Sequence, residues 1–114
     1  MISPNKATMG RIVIVAFRPK PGMESDLLQL TRDHMPVLLG QGLVTDRDSI
    51  AMRAADGTIV EVFEWKSEEA VQAAHSIPVV LEMWQKYGEA CDIVRLVDVA
   101  ELQQMFPHFE PIEP

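Results

Sequence analysis

The sequence predicts an α+β fold in which helices cover one face of an antiparallel sheet. Three observations support this prediction: a β-branched first strand, a hairpin signal at Asp56-Gly57, and two stretches with the apolar spacing of amphipathic helices. With 114 residues, the chain has the length of a single domain, residues 1–114, that can bury a core without a disulfide or a structural metal.

The first strand and the first helix are predicted from their apolar spacing. The segment RIVIVAF, residues 11–17, is apolar at nearly every position, which is typical of a central strand covered on both faces. After the turn RPKPG, apolar residues recur at helical spacing from Met23, and His34 extends this stripe. Pro36 lacks a backbone donor, so it is expected to kink the helix or to end its regular part.

A β-hairpin is predicted next. Residues 49–54 and 58–65 flank Asp56-Gly57, a dipeptide that favours a two-residue hairpin turn because both of its residues tolerate positive φ. Ser67 is then expected to cap a helix. A further helix start at Pro78 carries an apolar stripe that ends at Gly88.

Both ends of the chain are predicted to have less regular structure than its middle. Residues 1–10 are polar and rich in chain-breaking residues, which predicts a loose leader. Residues 91–99 mix apolar and charged side chains and predict a final strand. Residues 100–114 predict one short helical piece followed by a proline-rich C-terminal arm.

The predicted order β-α-β-β-α-β is the ferredoxin-like arrangement, which places the helices on one face of an antiparallel sheet. Its other face would then be bare, although the first strand is apolar on both sides. A chain of this length is expected to lack a second layer of its own. A symmetric homodimer is therefore the predicted cover for that face.

Composition argues against several partners. The formal charge is −7 and the basic residues are scattered, so no nucleic acid partner is expected. No apolar run approaches membrane-spanning length and no export signal is visible, so no membrane partner is expected. The single cysteine, Cys91, suits a reducing compartment. We therefore predict a cytoplasmic protein.

Residues 61–84 carry a resemblance to a known family. A strand ending EVFEW, then Ser67 with acidic residues at a helix start, then AVQAAHSIPVVLEMW, resembles the dimeric α/β-barrel superfamily, and within it the antibiotic-biosynthesis-monooxygenase-like domains. The likeness spans residues 11–99. It implies that two protomers pair their sheets face to face as a dimeric α/β barrel, each with a small-molecule pocket between its sheet and its helices.

The resemblance also implies a range of activities. Members oxidise quinols or anthrones without a cofactor or degrade haem, and many have no assigned activity. Members that use haem or activate oxygen resemble one another in an early pocket asparagine, whereas the asparagine of this chain, Asn5, precedes the first strand. Haem degraders have a late axial histidine, which EMWQKYGEA lacks. Both departures weigh against haem and, less heavily, against oxygenase chemistry, and no cofactor is expected.

Glu61 is the residue that most suggests a functional site. Alternation along the strand places Glu61 with Phe63 on one face. With a two-residue turn, Ile50 and Met52 share that face, which we assign to the helices. The other face, assigned to the dimer, then carries Ala51, Arg53, Val60, Val62 and Glu64. A carboxylate on the apolar face must be paired, protonated or solvated in a cleft.

Each candidate residue also has a structural explanation. Glu61 could lie at a wet sheet edge and bind a Lys or Arg. His34 could be a core histidine bonded to a carbonyl, and His75 could meet the last carbonyls of its helix. Trp65 and Trp84 could be core or dimer contacts. The three histidines lack metal-ligand spacing, so no metal is expected.

The favoured hypothesis is a small-molecule-binding protein that acts as a cofactor-independent monooxygenase-like or isomerase-like enzyme on a small aromatic or quinol-type substrate. His34 or His75 would take a proton, and Glu61 would orient the histidine or receive the proton. The predicted ligand contacts are Phe63, Trp65, Trp84 and Tyr87. The alternative is a non-catalytic binding or assembly module.

Overall fold

A computed structural model describes residues 10–114; nine of the ten residues of the predicted leader lie outside the described residues. The described chain forms strands β1–β5 and helices α1–α3, joined to two short 3-10 turns near the C-terminus. Their bounds in chain order are β1 Arg11–Pro19, α1 Glu24–Gly40, β2 Ile50–Arg53, β3 Ile59–Trp65, α2 Glu68–Ala74, α3 Pro78–Ala90, β4 Cys91–Val94, the 3-10 turns Leu96–Asp98 and Ala100–Gln103, and β5 Glu110–Pro111.

The strands form one open sheet in the order β4-β1-β3-β2-β5, and every neighbouring pair is antiparallel. The predicted α+β class is therefore confirmed, and the order of β1–β4 is compatible with the predicted ferredoxin-like arrangement. β5 was not predicted as a strand. It adds two residues at the edge beside β2.

The main core lies between α1–α3 and one face of the sheet, here called the helix face. Leu27 and Leu38 of α1 and Val80 of α3 are fully buried against Phe63 and its neighbours on β3. Burial of each such side chain contributes about 1.5–3 kcal/mol. The predicted orientation of Phe63 toward the helices is confirmed.

The helix ends follow from local side chains and backbone geometry. Ser67 caps α2 as predicted, because its hydroxyl accepts a hydrogen bond of 3.1 Å from the Ala70 amide. α1 continues through Pro36, so its regular part does not end there. It ends at Gly40, and two residues further on Gly42 takes a φ of +69° and donates to the Leu39 carbonyl.

The predicted hairpin turn was wrong by one residue. Ala54 pairs with Thr58 through a 2.8 Å hydrogen bond, so the loop has three residues, and Gly57 has the positive φ of +92°. A one-residue shift moves every side chain of a strand to the opposite face. Ile50 and Met52 therefore lie on the far face, opposite the helix face, whereas Ala51 lies beside Glu61 on the helix face.

The same shift corrects the assignment of Arg53. It pairs with Ile59 in the sheet register and so belongs to the helix face rather than the predicted dimer face. Its guanidinium lies at the sheet edge, 2.7 Å from the carboxylate of Glu110. Val60, Val62 and Glu64 lie on the far face, as predicted.

Replacement of Gly57 by Ala is expected to lower the free energy of unfolding by about 1–2 kcal/mol, because a β-carbon disfavours the left-handed conformation. The new carbon would also lie 3.4 Å from the Pro19 ring. Chemical denaturation checks this. Gly40→Ala is the control, since Gly40 ends α1 with no atom within 4 Å of the new carbon and no positive φ. An equal decrease in the free energy of unfolding in both variants would contradict the prediction.

The far face is partly covered by residues 95–114, here called the C-terminal segment. The predicted strand over residues 91–99 ends at Val94, and a 3-10 turn follows. Val99 is buried in a second cluster with Ala16, Ala54 and Val60 of the far face. Leu96, Leu102 and Phe109 also pack there. The expectation of no second layer was therefore wrong for this half of the sheet.

The other half of the far face stays open in the single chain. Ile12, Ile14 and Ile50 are exposed by 59%, 52% and 57%, and we call them the isoleucine patch. Exposed apolar side chains also stand on the C-terminal segment, where Met105 is 91% and Phe106 is 86% exposed. Phe109, by contrast, packs on its own chain rather than extending outward as part of an arm.

Candidate functional site

A histidine and a glutamate are paired inside the core. His34 Nδ1 of α1 lies 2.6 Å from Glu61 Oε1 of β3. The two residues are exposed by only 4% and 1%. The predicted proximity of Glu61 to a histidine on the helix layer is therefore seen for His34. Glu61 is neither at a wet sheet edge nor bound to a Lys or Arg.

The position of His34 follows from the buried stripe of α1. Leu27, Thr31, His34 and Leu38 recur three or four residues apart and are all buried. Aromatic rings surround the imidazole with edge-type contacts, at centroid distances of 5.2 Å for Phe63, 5.4 Å for Tyr87 and 6.5 Å for Phe17. This packing holds the ring plane, so Nδ1 stays directed at Glu61.

Tyr87 forms part of the wall and does not act as an acid. Its hydroxyl donates a 3.1 Å hydrogen bond to the Leu30 carbonyl. Burial raises the pKa of Tyr87, and the nearby Glu61 carboxylate raises it further. The hydroxyl therefore stays protonated, and it is already engaged within the protein.

A cleft of about 500 Å³ opens beside His34, between the helix face and α3. We call it the ligand cleft. Most of its lining is apolar or aromatic, and Asp92 is its charged rim residue. The lining residues are Phe17, His34, Trp84, Tyr87, Gly88, Cys91, Asp92 and Ile93.

A second, smaller cleft of about 140 Å³ reaches Glu61. It lies between α1, β2 and the C-terminal segment, and we call it the tail cleft. Its lining combines hydroxyl, charged and apolar side chains. The lining residues are Thr31, Arg32, Met35, Pro36, Ser49, Ala51, Glu61, Ile112, Glu113 and Pro114.

Each end of the His34–Glu61 pair reaches a different cleft. Within residues 10–114, the only hydrogen bond of either side chain is the one between them. No buried side-chain nitrogen or oxygen in that range lacks a hydrogen-bond partner. His34 Nε2 and Glu61 Oε2 have no partner within the described residues. Each of these two atoms must therefore retain some solvent-accessible area. His34 lines the ligand cleft and Glu61 lines the tail cleft.

The structure separates the other predicted site residues into two groups. Trp84 and Tyr87 line the ligand cleft with His34. Phe63 packs on the His34 ring inside the core, and Trp65 lies behind it at a centroid distance of 5.6 Å. Neither Phe63 nor Trp65 is among the residues that line the ligand cleft.

His75 lies on the surface, away from the buried pair. Its Nδ1 is 2.9 Å from the Val71 carbonyl, so it donates to the end of α2, which matches the helix-end alternative. Its ring contacts Trp84 at a centroid distance of 5.1 Å. Of the two histidines considered, only His34 contacts Glu61.

Sequence reasoning missed the wall that β4 contributes. From the sequence, Cys91 indicated only a reducing compartment, and Asp92 and Ile93 were not considered for a site. All three line the ligand cleft together with Phe17, which pairs with Ile93 in the sheet. The available signal was the position of Cys91 directly after the predicted last helix. A strand that follows a helix without a loop must lie against the end of that helix.

We expect the Cys91 thiol to react slowly with iodoacetamide. Burial, then the neighbouring Asp92 carboxylate, raises the pKa of the thiol to about 11. The thiol also donates a 3.1 Å hydrogen bond to the Tyr87 carbonyl. At pH 8 the folded protein should react at least about 50-fold more slowly than the urea-unfolded chain, because the thiolate is the reactive form. Similar rates in the two states would contradict this prediction.

Comparisons of the chain with protein-family models, with curated proteins and with solved structures gave no match. Among residues 10–114, no three or more His, Cys, Asp or Glu side chains are grouped so as to hold a metal ion. No helix in the same range combines the length and the apolar character needed to cross a bilayer.

Proposed function

We propose that the protein binds a small aromatic or quinol-type molecule in the ligand cleft and transfers a proton from it to His34. The supporting observation is the buried 2.6 Å contact between His34 and Glu61, which leaves His34 Nε2 at the cleft. The corresponding activity is that of a cofactor-independent monooxygenase-like or isomerase-like enzyme.

The proposed chemistry uses the two nitrogens of His34 differently. Nδ1–H donates to the Glu61 carboxylate, which makes Nε2 the free acceptor of the neutral imidazole. A ligand hydroxyl at Nε2 can then lose its proton, and Glu61 stabilises the resulting imidazolium. In this step His34 is the catalytic base, and Glu61 orients its ring and stabilises its positive charge.

The lining of the cleft favours an uncharged, flat ligand. Trp84, Tyr87 and Phe17 provide aromatic surface, and no Lys or Arg is among the lining residues. Asp92 at the rim disfavours anions. A volume of about 500 Å³ suits a molecule with one or two rings. A phenolic or quinol hydroxyl would supply the acidic proton.

Calorimetric titration with 2-naphthol tests the binding step. His34→Gln is expected to weaken binding at least about tenfold, since the flexible amide replaces the basic Nε2 at the end of an apolar cleft with a weaker acceptor at a different position. His108→Gln is the matched control, because His108 is an exposed histidine of the C-terminal segment. Equal affinities of wild type and His34→Gln would reject the proposed site. Oxygen uptake with 1,4-dihydroxynaphthalene, compared between wild type and His34→Gln, tests turnover.

A homodimer belongs to this proposal. The exposed isoleucine patch gives two copies an apolar surface through which to pair. The resemblance to the dimeric α/β-barrel superfamily favours the same face-to-face pairing of sheets. The cytoplasm is the proposed location, because the free thiol of Cys91 suits a reducing compartment.

A non-catalytic assembly module is the second candidate. The exposure of Met105 and Phe106 favours it, since neither residue lines the ligand cleft and both suit contact with another chain. Under this alternative, His34→Gln would lower folding stability without changing the affinity for any phenol. Loss of affinity with an unchanged dimer would favour the ligand site, and loss of oxygen uptake in the same variant would favour the enzyme.

A further inference from the structure

The His34–Glu61 pair has a second open end that the proposed ligand does not use. Glu61 Oε2 has no hydrogen-bond partner among residues 10–114 and reaches the tail cleft. The ligand cleft and the tail cleft share no lining residue. The pair therefore connects two separate spaces.

The tail cleft has the chemistry of a water site. A carboxylate that is 99% buried has strong acceptor capacity there, and Thr31 and Ser49 add hydroxyl groups to the lining. Polar cavities that offer two or more partners hold ordered water, whereas apolar cavities of similar size stay empty. A volume of about 140 Å³ has room for several water molecules.

The C-terminal segment covers this cleft. β5 pairs with β2, and the Ile112 amide donates a 2.9 Å hydrogen bond to the Ala51 carbonyl. Arg32 on α1 donates to the Glu113 carbonyl at 3.4 Å. These contacts hold residues 112 and 113 over one side of the cleft, and the cleft stays partly open to solvent.

We infer that the tail cleft binds water and is the route by which the proton between His34 and Glu61 exchanges with solvent. When His34 also carries a proton on Nε2, the bridging proton passes from Nδ1 to Oε1 and leaves a neutral imidazole and a neutral carboxylic acid. A water molecule takes the proton from the acid, the same water network returns a solvent proton to the carboxylate, and that proton passes back to Nδ1. The pair is then unchanged and one proton has been exchanged.

The role of this route in turnover rests on the proposed function. When His34 Nε2 takes a proton from the ligand, the bridging proton leaves through Glu61 to the tail cleft. When Nε2 gives its proton to the product, a proton returns by the same route and Nδ1 is protonated again.

Proton NMR of the ligand-free protein tests the route, so the result does not depend on ligand binding. Saturation transfer from water measures the exchange rate of the bridging proton in the ¹⁵N-histidine-labelled chain. Ala51→Leu fills the tail cleft and should slow exchange at least about tenfold, since only local opening would then admit solvent. Ile93→Trp narrows the ligand cleft instead and should leave the rate within about twofold. The reverse pattern would overturn the inference.

A second measurement covers the case in which Ala51→Leu fails to fold. In the wild-type protein, the Ala51 methyl group should show a nuclear Overhauser effect to long-lived water, because Ala51 lines the tail cleft. Ser49→Ala, which removes a lining hydroxyl with little change in volume, should weaken that effect. Absence of the effect in the wild type would show a dry cleft and reject the inference, whatever the outcome of the 2-naphthol titration.

Discussion

Replacement of Glu61 by Ala is expected to lower the free energy of unfolding by about 3–5 kcal/mol, because loss of one partner leaves the other polar group buried and unpaired. His34 would lose its only hydrogen bond among the described residues while it stays packed against Phe63 and Tyr87. Urea denaturation followed by tryptophan fluorescence measures the loss.

Two further variants distinguish the effect of breaking the buried pair from the effect of shortening a glutamate side chain. Glu64→Ala removes a glutamate from the far face of the same strand, where Glu64 accepts from Arg47 at 3.0 Å and from Thr45 at 2.9 Å. Because Arg47 is exposed, loss of its ion pair with Glu64 should lower the free energy of unfolding much less than Glu61→Ala does. The double variant Glu61→Leu with His34→Leu should regain most of the stability lost in Glu61→Ala. Equal losses for Glu61→Ala and Glu64→Ala would show that the buried pair is not a major determinant of stability.

Replacement of Ile14 by Asp is expected to dissociate the proposed homodimer, raising its dissociation constant at least about 100-fold. Ile14 pairs with Val62 at the centre of the sheet and belongs to the isoleucine patch. In a symmetric dimer the substitution places two unpaired carboxylates in one apolar interface, which is costly. Sedimentation equilibrium across a range of micromolar concentrations measures the change.

Leu81→Asp is the matched control for this prediction. Leu81 is a half-exposed apolar residue of α3, on the helix layer rather than the far face. It should leave the association constant unchanged. A wild-type protein that sediments as a monomer at micromolar concentration would reject the dimer. A Leu81→Asp variant that dissociates as strongly as Ile14→Asp would instead place the interface on the helices.

The hairpin shows which features local sequence patterns predict and which they leave undetermined. Asp56-Gly57 correctly indicated a turn between two strands, and alternation along β3 correctly placed Glu61 and Phe63 on the helix face. The number of loop residues decided the register of β2, and the sequence did not specify it. One extra loop residue placed Met52 on the far face, where it packs near Val99.

The C-terminal segment shows a different limit. Its prolines argued against regular structure, and only short 3-10 turns and the two-residue β5 are seen there. Nothing local indicated that Val99 and Leu102 would pack on the far face. That packing depends on the apolar surface left by β1–β3, which lies many residues away in the chain.

The sequence by itself determined the α+β class, the buried stripe that contains His34, and Glu61 as a carboxylate on an apolar face. These features are encoded in periodicity, and periodicity is a property of neighbouring residues. Only the tertiary structure decided that His34 rather than His75 meets Glu61, and that the pair opens to two clefts. A contact across 27 residues depends on how α1 docks over β3, and docking is settled by the packing of the whole core.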